Sequence, residues 1–90
     1  MPPRRQAKPR SPDHAALGRA VEELRREAGL TQEQLAERFH TEFPRVGTLE
    51  RGVSNPTFSS LLRVARGLDI ELSVLIERFE RIRRSSSSGD

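Results

Sequence analysis

The stretch from Thr31 to Gly52, TQEQLAERFHTEFPRVGTLERG, constrains the fold more than any other part of this 90-residue chain. Thr31 followed three residues later by Gln34 forms a capping box, in which each satisfies an N–H that a helix start leaves orphaned. Leu35, Ala36 and Phe39 then fall on one side of a short helix ending near Phe39. A second short helix is predicted near 43–50, with Val46 and Leu49 inward and Gly52 as its stop. Helices of this length are not stable alone in water. They must pack at a steep angle on other helices, which leaves the outer face of the second one free.

The flanking sequence supplies those helices. Ser11-Pro12 is a start signal, a Ser cap with Pro where a missing N–H costs nothing. Leu17, Val21, Leu24 and Ala28 follow at helical spacing, and Gly29 ends the run. Val53 to Pro56 reads as a loop. Thr57 caps a fourth helix whose apolar face is Phe58, Leu61, Leu62 and Ala65, with Leu68 just beyond. Ser73 is expected to cap a fifth helix, with Leu72 packing at its start. Its stripe of Leu75, Ile76, Phe79 and Ile82 continues to about Arg83. The prediction is an all-α fold of five helices over residues 11–84, between a disordered basic arm (1–10) and a disordered polar tail (85–90).

Composition narrows the function. Apolar residues are 33% and charged residues 32%, so one modest core is expected. There is no cysteine, hence no disulfide and no thiolate metal site. The two histidines, His14 and His40, make no ligand cluster, and no Gly-rich phosphate loop is present. Neither enzyme activity nor a cofactor or metal is expected. No apolar run approaches the roughly 20 residues needed to cross a bilayer, and the basic start lacks an apolar stretch behind it. The expected location is the prokaryotic cytosol or nucleoid, with no membrane partner.

The net charge of +3 is unevenly placed. Arg4, Arg5, Lys8 and Arg10 stand in the first ten residues with no acid, and Arg78, Arg81, Arg83 and Arg84 crowd the other end. Residues 11–77 hold eight arginines against eleven acids. Binding to a polyanion would therefore rest on a local patch, aided by a basic arm that suits a minor groove.

Leu30-Thr31-Gln32, Leu35-Ala36-Glu37, Val46, Leu49-Glu50-Arg51-Gly52 and Asn55-Pro56-Thr57 stand in register with a known pattern. From about Leu17 to Leu75 the chain resembles the Cro and phage-repressor (XRE-type) helix-turn-helix family. The resemblance implies a compact phage-repressor-like domain, with the motif at about 31–51 and its second helix entering a DNA major groove. It implies a regulator of transcription, a homodimeric repressor reading a near-palindromic operator in double-stranded DNA. Phe43, Pro44, Arg45, Gly47 and Thr48 match positions that face bases. Arg45 is the strongest of these, because its guanidinium fork fits guanine O6 and N7. Gln32, Arg51, Ser54 and Asn55 match positions that meet the phosphate backbone, and Thr41 and Arg38 join them as further phosphate candidates. Arg25 and Glu50 match a partly buried structural ion pair.

Three residues depart from the family pattern. His40 stands where the turn ordinarily has glycine, so a differently shaped turn is expected. Pro44 disfavours helical geometry at Phe43 and moves the expected helix start to Pro44. Glu42 puts an acid near the expected phosphates. Phe79 and Ile82 sit past the five-helix core, and the stripe they form with Leu75 is expected to make a twofold dimer interface, unless helix 5 folds back and covers its own domain. The alternative is a protein-interaction module, antitoxin-like, with a toxin or anti-repressor as partner.

Overall fold

The computed structural model describes residues 8–40 and 43–87, with Phe43, Pro44 and Ser87 described by their backbone alone. The elements are α1 (Pro12–Glu27), α2 (Gln32–Phe39), α3 (Phe43–Glu50), α4 (Phe58–Gly67) and α5 (Leu72–Ser87). The described residues are all helix, turn or loop, as expected.

The starts follow local chemistry. Ser11 Oγ accepts the His14 N–H, Thr57 Oγ1 accepts the Ser60 N–H, and Thr31 and Gln34 exchange both bonds of a capping box. Two starts differ from expectation by one residue. α3 begins at Phe43 rather than Pro44, since a proline in the first turn removes only an N–H that the helix leaves unpaired. α5 begins at Leu72, with Ser73 inside it, and the Val74 N–H bonds to the Glu71 carbonyl. α5 also continues beyond Arg83 to Ser87, so Ser85 to Ser87 are helical rather than a disordered tail. Residues 88–90 lie outside the described residues.

The ends of three helices share one device. After α1, α3 and α4 the chain turns left-handed at Gly29, Gly52 and Asp69. The next N–H (Leu30, Val53, Ile70) reaches back to Arg25, Thr48 and Ala65. His40 after α2 is left-handed too, at φ 56° and ψ 47°. The expected change at that position is thus corrected: histidine takes up the backbone conformation that glycine ordinarily supplies, at a cost of about 1 kcal/mol.

Val21, Leu35, Val46, Val64 and Leu75 are fully buried and tie one core cluster together from all five helices. α1 crosses close over the end of α3, because a Cβ at Gly18 would collide with the Leu49 and Glu50 carbonyl oxygens. On α4 the buried residues are Val64, Ala65 and Gly67, while Phe58 is 67% exposed. Its place on the apolar face is corrected: it is the first residue of α4, at the rim, where no neighbouring helix covers it.

α5 lies back along α1. Arg78 bridges to Glu23 at 3.0 Å and to Glu27 at 2.7 Å, clasping the two helices. This return covers part of the expected partner surface. Leu75 is fully buried within the chain, and Phe79 and Ile82 are half-buried against its own core. Among the described residues the large apolar groups left exposed are Phe58, Val74 and Ile76.

Candidate nucleic-acid interface

The site is built on a buried brace. Arg25 Nε donates to Glu50 Oε2 at 2.6 Å, and Nη2 donates to Oε1 at 3.1 Å. Arg25 Nη1 also donates to the Leu30 carbonyl at 2.8 Å, and Gln32 Nε2 donates to Glu50 Oε1 at 2.9 Å. Bonding to Glu50 holds the Arg25 guanidinium above its ordinary range, against the opposing effect of burial. Arg25 and Glu50, the pair implied by the family resemblance, are thus bonded to each other in this structure. The brace fixes the end of α3 to α1 and to the start of α2, so α3 is held as a rigid probe.

The brace revises Gln32 in part: one N–H of its side-chain amide is given to Glu50. What remains for an anion there is the second amide N–H and the first backbone N–H groups of α2, which have no intrahelical acceptor. Gly47 is revised as well. It is buried, because the Arg51 guanidinium lies over it, and a Cβ there would sit 3.1 Å from Arg51 Nη1 and 3.9 Å from Gln32 Oε1. Gly47, Arg51 and Gln32 therefore form one cluster on one flank of α3.

The other flank is a groove of about 390 Å³ between α3 and α4. It brings together four predicted residues, Arg45, Thr48, Ser54 and Asn55, with Ser60 and Arg63 of α4. Arg45 is exposed and makes no ion pair with any described carboxylate. Thr48 donates its hydroxyl to the Arg45 carbonyl at 3.0 Å, which leaves its methyl and lone pairs for a ligand. Asn55 Oδ1 lies 3.0 Å from His14 Nε2, and His14 Nδ1 lies 2.6 Å from Ser11 Oγ. The loop after α3 is thus tied to the first turn of α1. The Arg10 N–H adds a second tie, to the Gly52 carbonyl at 2.9 Å. The root of the basic arm therefore sits beside this loop.

Thr41 and Glu42 lie outside the described residues, as do Arg4 and Arg5, and the side chains of Phe43 and Pro44 are not described. Arg38 is exposed at the end of α2, away from the Gln32 cluster, facing a cleft against α4. Sequence reasoning missed two features. Arg63 gives no local signal, because a helix charge looks alike whether paired or not. Gly18 sits in a helical run where nothing marks a close crossing. Among the described residues no helix is long and apolar enough to cross a membrane.

A helix-turn-helix family model (HTH_3) matches residues 21–75. Among solved structures the chain is similar to the restriction-modification controller protein C.AhdI from Aeromonas hydrophila. The identity is 37% and the TM-score 0.71, covering 72% of this chain and 98% of that one. It is also similar to the controller protein C.Esp1396I, solved as a tetramer in complex with its natural 35 base-pair operator. There the identity is 26% and the TM-score 0.77, covering 82% of this chain and 97% of that one. The clp gene regulator ClgR from Corynebacterium glutamicum shares the fold, at 22% identity and a TM-score of 0.82 over 86% of this chain and 82% of that one. No curated protein matches.

Proposed function

The chain belongs to the helix-turn-helix family HTH_3 and is a DNA-binding regulator of transcription; from that premise we infer that it acts as a homodimer, reading a near-palindromic operator upstream of its own gene. The observation that carries this reading is Arg45. It is a guanidinium that makes no ion pair with any described carboxylate, on the exposed face of a short helix whose far end is locked by a buried, fully bonded ion pair. A guanidinium so held suits bidentate bonding to guanine in the major groove. Thr48 beside it supplies a methyl for thymine. Asn55, Ser54, Arg51 and the start of α2 flank the helix where two phosphate strands would run.

Two protomers related by a twofold axis would place their α3 helices about 34 Å apart, one turn of the duplex. The operator complex of the similar C.Esp1396I tetramer supports an oligomeric reader. In this chain the exposed Phe58, Val74 and Ile76 are the apolar groups suited to the contact. Such a regulator works in the prokaryotic cytosol, with control set by its own concentration, as a non-enzymatic repressor.

The test is a fluorescence-anisotropy titration with duplex from the gene's upstream region beside a scrambled duplex, at two salt concentrations. Preference for the native duplex by at least about a hundredfold, within the range of specific regulators, is the expected result. Equal, weak and steeply salt-dependent binding to both overturns the reading.

A further inference from the structure

Apart from Arg10 and Arg84, which have no ion pair with any described carboxylate and stand outside the division, the arginines of the described residues divide by helix. Arg19, Arg25, Arg26, Arg78, Arg81 and Arg83 are each paired to a glutamate, and all lie on α1 or α5. Arg38, Arg45, Arg51, Arg63 and Arg66 are paired to none of the described carboxylates, and all lie between the end of α2 and the end of α4. Three of the unpaired ones line a single cleft of about 640 Å³ between α2 and α4. There Arg38, Arg63 and Arg66 stand with His40 against one carboxylate, Asp69. The cleft exists because α4 comes down on α2 at Gly67, where a Cβ would sit 3.2 Å from Leu35 and 3.4 Å from Arg38.

Three guanidinium groups against one carboxylate leave an excess of positive charge, and such an excess is the electrostatic footprint of a polyanion ligand. Arg63 also lines the α3–α4 groove beside Arg45 and Thr48, so cleft and groove form one continuous surface. We propose that the α2–α4 cleft is a second phosphate-binding surface, in which Arg63, Arg66 and Arg38 take DNA backbone phosphates beyond those flanking α3. The occupant is duplex backbone rather than a small anion, because the cleft is open and runs into the base-reading groove. It reads no bases, so it adds affinity and footprint length without sequence preference. The inference rests on the DNA-binding reading above.

The experiment measures the salt dependence of binding for the full chain and for the double variant R63Q/R66Q, on native and scrambled duplexes of about 30 base pairs. The slope of log K against log salt should fall by about 0.9 for each phosphate contact removed, on both duplexes, with the native-to-scrambled ratio unchanged. The charge-conserving R63K/R66K should keep most of the slope. A slope unchanged in a folded R63Q/R66Q overturns the proposal and points to an acidic protein segment as the occupant. If that variant is unfolded by circular dichroism, R38Q alone decides by the same slope. If the unaltered chain binds both duplexes alike, the sequence-reading function fails, yet the slope on scrambled duplex still decides the cleft.

Discussion

Arg45 and Glu50 stand five residues apart on α3 and do opposite work. Arg45 is exposed and pairs with none of the described carboxylates, so its removal should cost recognition and leave folding alone. Arg45→Ala is expected to lose about 1–3 kcal/mol of discrimination, read as a five- to 150-fold drop in the native-to-scrambled binding ratio. An equal loss on both duplexes would show that it meets a phosphate instead. Glu50 is buried with Arg25 and serves stability. Glu50→Ala strands the Arg25 charge and leaves Gln32 Nε2 without its acceptor, and should cost roughly 3–5 kcal/mol, seen as a fall in Tm of on the order of 10 °C or more. The double variant Arg25→Met/Glu50→Leu should be milder than Glu50→Ala alone; a fully additive loss would show that the pair is not coupled. The Arg25–Glu50 pair was legible in the chain because its spacing matches a family pattern. The role of Gln32 was not, since a glutamine at a helix start reads the same whether it faces a phosphate or a buried carboxylate.

At the scale of elements, the caps were the most legible features, because Ser11, Thr31 with Gln34, and Thr57 act on N–H groups within three residues of themselves. The facing of α5 was not legible. Periodicity shows that Leu75, Phe79 and Ile82 share a stripe, but what covers the stripe depends on how α5 returns along α1. The Arg78 clasp decides that return, and it spans 51 residues of sequence to Glu27. Arg78 holds the Glu27 carboxyl below its usual value, chiefly through its hydrogen bonds. A carboxylate with a lowered folded-state pKa stabilises the fold above its unfolded value, and that contribution fades as pH falls below it. Glu27→Gln should therefore lower Tm at pH 7, with the gap to the unaltered chain closing as pH falls below about 4.5. A gap that stays constant down to pH 3 would contradict the clasp.

Among the described residues, most arginines of α1 and α5 are paired to glutamates, whereas those from the end of α2 to the end of α4 are not. Net charge alone hides this, because it does not say which arginines have a carboxylate beside them. The same separation holds for apolar residues. Leu75 and Ile76 are neighbours, but Leu75 belongs to the core and Ile76 is 37% exposed. Leu75→Ala should cost about 2–5 kcal/mol of stability. Ile76→Glu paired with Val74→Glu should leave Tm of the monomer intact, shift sedimentation from dimer to monomer, and weaken operator binding. A dimer that persists in that variant would place the twofold contact elsewhere.

The bond from the Arg10 N–H to the Gly52 carbonyl bears on how the protein is handled at the bench. It ties Arg10 beside the loop that follows α3, whereas the last turn of α5 lies against the middle of α1. A fluorophore or affinity handle placed ahead of residue 8 would join the chain near that loop, close to the residues proposed to meet DNA. One placed after Ser87 would join it at the end of α5, near the paired Arg78 and Arg81. Probes for binding work therefore belong at the C-terminal end.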